Sequence, residues 1–293
     1  MDAPNPSSMP TWANRTPLHM GSVGMIARDL DLLTNYYRDL LGLTVQERTT
    51  DRVKLGVGDV TILELTHKPD ALPDDNREAG LYHTAFLMPT RADLARWIVY
   101  MAKRRIPITG ASDHDVSEAI YLDDPEGNGV EVYCDRPPER WRRDAELIFQ
   151  KTDPLDIEAI VREIDPATAT YPGAPGGLRV GHVHLRVGDV AQSEQFYSNV
   201  LGLGVTRRRG GATFVSSGGY HHHIACNVWH SDGAGRRNDK RAGLAWVEFE
   251  ANDNAALDDA AKRLTSANVA ITKTATGFET LDPWGTRLRF TKA

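Results

Sequence analysis

Apolar residues recur along this chain with two periods that take turns. Over residues 22–26 (SVGMI) they alternate, as in a strand. Over 30–41 (LDLLTNYYRDLL) they take the spacing of a helix, which Gly42 ends in the manner of a C-terminal glycine. Further strands are predicted at 45–47, 52–56 and 60–65. A second unit of the same kind opens with a strand at 83–87 and continues with a helix over 92–105. It closes with strands at 118–122 and 129–133, joined by the turn Asp124-Pro125-Glu126-Gly127-Asn128. A third runs from a strand at 181–187 through a helix over 190–201 to a closing strand at 220–229. The fourth runs from 244–250 through a helix over 254–268 to 286–291. A connector rich in proline and charge, 136–177, separates the second from the third, with a helix predicted at 156–164. The pattern is four β-α-β-β-β modules.

The modules are copies in pairs. YYRDLLGLTV at 36–45 matches FYSNVLGLGV at 196–205, and LDDPEGNGVEVY at 122–133 matches LDPWGTRLRF at 281–290. Both matches lie about 160 residues apart, so a unit of roughly half the chain is duplicated. Domains are expected at 18–136 (modules one and two) and 178–293 (modules three and four), with 137–177 as linker.

Composition adds exclusions. Hydrophobic residues are 41% and charged residues 25% of 293, the balance of a globular chain with a sizeable core and the length of two domains. A net charge of −6 is the wrong sign for nucleic acid or an anionic membrane. No run approaches the roughly 18 apolar residues of a membrane span. Two cysteines, Cys134 and Cys226, are too few for a disulfide framework, which fits a reducing cytoplasm. The opening MDAPNPSSMPTWANRTP has no apolar signal core and is expected to be a loose tail.

The openings HVHLRVGDV and SVGMIARDL, the YY/FY…LGL signatures and the closing DPEGNGVEVY resemble the vicinal oxygen chelate superfamily of glyoxalase, bleomycin resistance and dioxygenase proteins. The resemblance runs from about residue 18 to residue 292. Within it, SDHDVSEAIYLDDPEGNGVEVY and YHHHIACN are most similar to the two-domain, catechol-2,3-dioxygenase-like extradiol branch. The resemblance implies an α+β fold. Four βαβββ modules stand in two tandem domains, and paired modules curl into cup-shaped mixed sheets around one divalent metal.

In that family the ligands stand on the first and last strands of two paired modules. Module one has Ser22 and Glu64 there, module two His83 and Glu131, and module three His182. Module four has Trp246 and Arg289, neither of which ligates a hard cation. Only modules two and three together hold a full set: His83, His182 and Glu131. Two imidazoles and one carboxylate are the facial triad of non-haem Fe(II) oxygenases, so the resemblance implies Fe(II), with Mn(II) as the alternative. Modules one and four would form a degenerate cup. Taken singly, each of the three also reads as a hydrogen-bonded strand residue. The weight lies in three falling at matching strand positions. His184 shares a strand face with His182 and is a substitute ligand.

In Tyr220-His221-His222-His223, strand alternation sets His222 on one face and His221 and His223 on the other. Alignment through Ile224-Ala225 matches His222 to the family's acid/base histidine, a role that an imidazole can fill near neutrality. A surface histidine cluster is the plain alternative. Tyr121 is implied to hydrogen-bond the substrate's ionised oxygen, or is a core tyrosine. His114 stands about two residues off the family's spacing for a substrate-contacting histidine. Cys226 reads as a small buried hydrophobe, and Asn227 and Trp229 as cavity-facing. The segment 231–241 (SDGAGRRNDKR) reads as a lid or a solvated loop whose arginines would meet a substrate carboxylate.

The function implied is a metal-dependent extradiol ring-cleaving dioxygenase that takes a catechol-type aromatic and O2. Two other classes stay open on the sequence. One is a glyoxalase-like isomerase or transferase with Glu64 as its spare base, which the module pairing keeps from the metal. The other is a small-aromatic binding (resistance) protein, against which the intact ligand set stands. Nucleic acid and membrane are not expected partners, and nothing in the sequence decides for or against a homo-oligomer.

Overall fold

The first module is β1 (Leu18–Ala27), α1 (Leu30–Leu41), β2 (Thr44–Arg48), β3 (Arg52–Val57) and β4 (Val60–His67) in a computed structural model describing residues 11–145 and 147–293. The second is β5 (Gly80–Leu87), α2 (Arg91–Arg104), β6 (Gly110–Asp113), β7 (Ser117–Asp123) and β8 (Gly129–Asp135). The connector carries β9 (Arg143–Asp144), β10 (Leu147–Ile148), β11 (Asp153–Pro154) and α3 (Ile157–Val161). The third module is β12 (Arg179–Arg186), α4 (Val190–Glu194), β13 (Gly204–Arg209), β14 (Ala212–Ser216) and β15 (Ile224–Asn227). The fourth is β16 (Gly243–Ala251), α5 (Asn254–Ser266), β17 (Thr272–Lys273), β18 (Gly277–Leu281) and β19 (Arg287–Lys292).

Each module helix starts on a side-chain cap. Asp29, Thr90, Asp189 and Asp253 accept from the N–H of Leu32, Asp93, Gln192 and Ala256, each satisfying a donor that the first turn leaves free. Gly42 closes α1 at φ +72°, the left-handed geometry that glycine adopts without strain. Within a module the first and last strands run parallel, as β5 does beside β8 and β12 beside β15. Modules then join through antiparallel first strands: β1 pairs with β16, and β5 with β12. One sheet therefore has the order β17-β18-β19-β16-β1-β4-β3-β2, from modules one and four. The other runs β11-β6-β7-β8-β5-β12-β15-β14-β13, from modules two and three with a connector strand at its edge. This is the cross-pairing inferred from the ligand content. A continuous apolar core that includes Met20, Val23, Phe86, Val183, Val247 and Phe290 joins the two sheets and their helices.

The repeated motifs turn out to be latches. Tyr37 of the YY signature donates to Asp124 Oδ2 of the DPEGN turn at 2.9 Å, and Tyr197 of the FY signature donates to Asp282 Oδ2 of the DPWGT turn at 2.9 Å. Each aspartate also ties its own turn, Asp124 Oδ1 accepting from the N–H of Glu126 and Asn128, and Asp282 Oδ1 from that of Trp284 and Thr286. The helix of one module is thus bolted to the closing turn of the next through the aspartate that ties the turn. Tyr37→Phe removes one of the bonds to a buried carboxylate that keeps the others. The expected cost is about 1–2 kcal/mol, read as a lower urea midpoint at unchanged slope. An unchanged midpoint would count against the latch.

Several elements differ from expectation. The helix predicted over 190–201 is α-helical only over Val190–Glu194 and continues as a π-helix over Gln195–Val200, in which Phe196 and Tyr197 are buried. The strand predicted over 220–229 shrinks to Ile224–Asn227, because the histidine run bends and spends its side chains on hydrogen bonds. The connector helix is also shorter, Ile157–Val161. Of the N-terminal segment expected to be a loose tail, residues 1–10 lie outside the described residues. The rest is docked: Trp12 packs 5.0 Å from the Trp141 ring, and the Ala13 carbonyl accepts from His223 Nε2 at 3.0 Å. Both cysteines are buried and unpaired. Among the described residues no helix is long and apolar enough to cross a membrane.

Candidate metal centre

Three neighbouring strands converge on one point. In the register, Ala85 of β5 lies opposite Glu131 of β8 on one side and His182 of β12 on the other, and His83 sits two residues before it. All four side chains therefore share a face. The small Ala85 leaves room for the longer three to lean together. His83 Nε2 lies 2.9 Å and His182 Nε2 3.1 Å from the same oxygen, Glu131 Oε2. The prospective ligand atoms all lie within 4.8 Å of one another, and among the described residues no other three His, Cys, Asp or Glu side chains gather so.

The donor set fits a divalent cation. His83 Nε2 is buried yet makes no properly aligned hydrogen bond, an arrangement that costs free energy unless something else satisfies the lone pair. Burial pushes the His182 imidazole down to about 4, so at neutral pH it is an uncharged donor. Burial alone would raise the Glu131 carboxyl. The imidazoles of His182 and His83 outweigh it and hold the group well below the usual carboxylate range. Two imidazole nitrogens and one carboxylate are a donor set that a hard or borderline metal takes.

Beside the triad stands a buried relay. Asp135 Oδ1 accepts from His221 Nε2 at 2.9 Å, and His221 Nδ1 meets His222 Nδ1 at 2.8 Å. A carboxylate only accepts, so the His221 proton is on Nε2 and its Nδ1 is the acceptor. His222 must then donate from Nδ1, which leaves its Nε2 bare. Tyr220 donates to Asp135 Oδ2 at 2.9 Å and accepts from the Tyr133 hydroxyl at 2.8 Å. Gly181 makes this possible, since a Cβ there would sit 1.9 Å from the Tyr133 oxygen. Burial, then the neighbouring imidazoles, hold His222 well below its ordinary pKa, so the bare nitrogen stays a base. The expected placement of His221 opposite His222 is therefore corrected. The run bends before β15 begins, and the two rings lie 4.6 Å apart, while His223 turns away to the N-terminal segment.

Tyr121 and His114 form a second pair. His114 Nδ1 donates to the Lys151 carbonyl at 2.8 Å, so its Nε2 accepts from the Tyr121 hydroxyl at 2.6 Å. Burial, then the Glu131 charge, keep the Tyr121 phenol well above its ordinary pKa. His184 accepts from Asn227 Nδ2 at 3.0 Å through Nε2, which engages that lone pair apart from the triad.

His83, Glu131, His182, His222, Tyr121 and His114 all line one cavity of about 700 Å³. Tyr82, Phe214 and Trp229 add aromatic walls. Trp229 faces the cavity as expected, while Asn227 sits behind His184. Cys226 is fully buried in the core on the other side of β15. The segment 231–241 does not line the cavity. Arg241 pairs with Glu78 at 2.7 Å, Arg237 donates to the Leu244 carbonyl, and none of the segment's three arginines, Arg236 included, lines the cavity. Glu64 belongs to the other sheet. In that cup Ser22 is bonded to Glu248 at 2.5 Å, and the Arg289 guanidinium lies 3.9 Å over the Trp246 ring, so packed side chains fill the place of a site. Sequence reasoning missed Asp135 and His221. Asp135 shares the face of Glu131 and Tyr133 by strand alternation, and that signal was available.

The family model of the Glyoxalase/Bleomycin resistance protein/Dioxygenase superfamily matches residues 19–132 and 179–290. A catechol-2,3-dioxygenase of Bacillus subtilis (strain 168) is 35% identical over 270 residues, 90% of this chain and 94% of that protein. Among solved structures, one from Bacillus subtilis subsp. subtilis str. 168 superposes with TM-score 0.63 at 15% identity, covering 93% of this chain and 84% of its own. Glyoxalase I from Zea mays superposes with TM-score 0.57 at 16% identity, covering 96% and 94%. These two likenesses show the fold alone.

Proposed function

The chain belongs to the Glyoxalase/Bleomycin resistance protein/Dioxygenase superfamily, and we propose that it is a metal-dependent extradiol ring-cleaving dioxygenase acting on a catechol-type aromatic with O2. Its relative supports a dioxygenase-family function. What carries the finer reading is the triad His83–Glu131–His182 opening into the same cavity as the bare Nε2 of His222.

His83, His182 and Glu131 would hold Fe(II), or Mn(II). Once bound, the metal would supply Lewis acidity and one-electron redox chemistry. The chain does the rest. His222 takes the proton of the second catechol hydroxyl on Nε2, and its Nδ1–H leans on the acceptor nitrogen of His221 while it does so. Asp135 fixes that polarity from the far end of the relay. Tyr121, protonated at neutral pH, exchanges its bond to His114 for one to the ionised substrate oxygen. Tyr82, Phe214 and Trp229 flank the ring and exclude water. Both atoms of O2 end in the ring-opened hydroxy-semialdehyde, so no outside reductant is needed.

The test is anaerobic loading with iron or manganese, removal of the excess, then catechol in air with spectra recorded. About one metal per chain and a yellow ring-opened chromophore are expected. Stoichiometric metal without product across several catechols would remove the dioxygenase reading.

A further inference from the structure

The cavity carries cationic donors for which the described residues provide no anion. On β13, alternation sends Arg207 and Arg209 to the cavity side, while Arg208 between them points out and pairs with Glu194 at 2.6 Å. The Arg207 side chain makes no ion pair and no hydrogen bond with any described residue, although it is half-buried. Burial, then neighbouring Arg209, lower its affinity for its proton, the mark of a cation without its counter-ion. Arg209 donates to Thr152 Oγ1 at 2.6 Å and meets no carboxylate among the described residues. Lys151, the third cation lining the space, is different. Asp153 at 3.0 Å and Asp113 at 3.4 Å neutralise it.

Gln150 supplies an independent observation. It is 7% exposed and lines the same cavity, and its Nε2 has no hydrogen-bond partner. The bond from Arg209 to Thr152 brings the 150–152 segment alongside β13, and Gln150, Arg207 and Arg209 all line the cavity there. Of the acidic residues lining the cavity, Glu131 belongs to the triad and Asp123 makes no ion pair with Arg207 or Arg209. A volume of about 700 Å³ suits a ligand larger than a bare catechol ring.

We propose that Arg207, with Arg209 and Gln150, forms a subsite for an anionic ring substituent, and that the substrate is a catechol bearing a carboxylate. This rests on the ring-cleavage reading for the position of the catechol oxygens at the triad. A planar guanidinium fork matches a carboxylate in two parallel hydrogen bonds, and the Gln150 amide adds a third donor.

The test is calorimetric titration of the metal-loaded protein without O2, using catechol, 3,4-dihydroxybenzoate and the neutral methyl ester of the latter. Dihydroxybenzoate is expected to bind roughly 10- to 100-fold tighter than catechol or the ester. Arg207→Gln and, separately, Arg209→Gln should bring that ratio towards one, and Arg207→Lys should keep part of it. Dihydroxybenzoate no tighter than its ester, or a ratio that folded Arg207→Gln leaves intact, overturns the subsite. Admitting air afterwards separates the two readings. An Arg207-dependent ratio without ring cleavage keeps the subsite and removes the dioxygenase. Cleavage with equal binding of acid and ester does the reverse.

Discussion

His182→Ala is expected to bind iron or manganese at least about 100-fold more weakly than the unaltered protein and to form no ring-opened product. Three ligands share one point around Glu131 Oε2, and the loss of His182 leaves one imidazole and one carboxylate, too few to hold a metal while substrate and O2 occupy other positions. The fold should survive, because the histidine borders a cavity and the sheet pairing of β12 with β5 and β15 is made by backbone. Added metal should raise the melting temperature of the unaltered protein, by linkage, and leave that of the variant where it is. Equilibrium dialysis with elemental analysis reads the first effect and a melting curve the second. One equivalent of tightly held metal in His182→Ala would sink the triad.

His222→Gln should keep its metal and its substrate affinity and lose about 10²- to 10⁴-fold in kcat, the range for removal of a positioned acid/base group. The pH profile carries a second readout. A base is lost as pH falls through its pKa in the folded protein, and burial with surrounding imidazoles holds that value well below the ordinary 6.5 or so. The His222-dependent limb of kcat/KM should thus lie on the acid side of that value, where an exposed histidine would already be protonated. Asp135→Asn tests the relay without touching the cavity wall. An amide can donate to His221 Nε2, which would move the His221 proton to Nδ1 and force His222 to carry its own on Nε2. Turnover should then fall with metal content unchanged. Full activity in Asp135→Asn would show that the tautomer order is irrelevant.

The four modules were legible because each is written in local periods. Asp29 and Gly42 bracket an apolar helix stripe, and alternation marks β5, β8 and β12. Strands with little contrast were not seen. The arginine-rich β13 hides its period under charge, and β6 is four half-buried residues, Gly110–Asp113. The candidate ligands could be named in advance because they sit at equivalent ends of duplicated modules, and the cross-pairing followed from which modules held them. The repeated Tyr and Asp-Pro motifs were also visible, but not that Tyr37 and Asp124 hold each other across 87 residues.

By itself, then, the sequence determined the four modules, their duplication and a set of three metal-binding residue types on strands that could share a face. Only the tertiary structure decided how the side chains around them are engaged. It bent the histidine run so that His221 falls between Asp135 and His222, docked Trp12 and Ala13 behind it, and brought Thr152 of the connector to Arg209 at the sheet edge, in one cavity wall with Gln150 and Arg207. The physical reason is range. Periodicity and capping act within a few residues and leave a pattern in the chain. Contacts between residues tens of positions apart depend on register, on a bend at one strand end and on how far a sheet curls, and no local pattern encodes these.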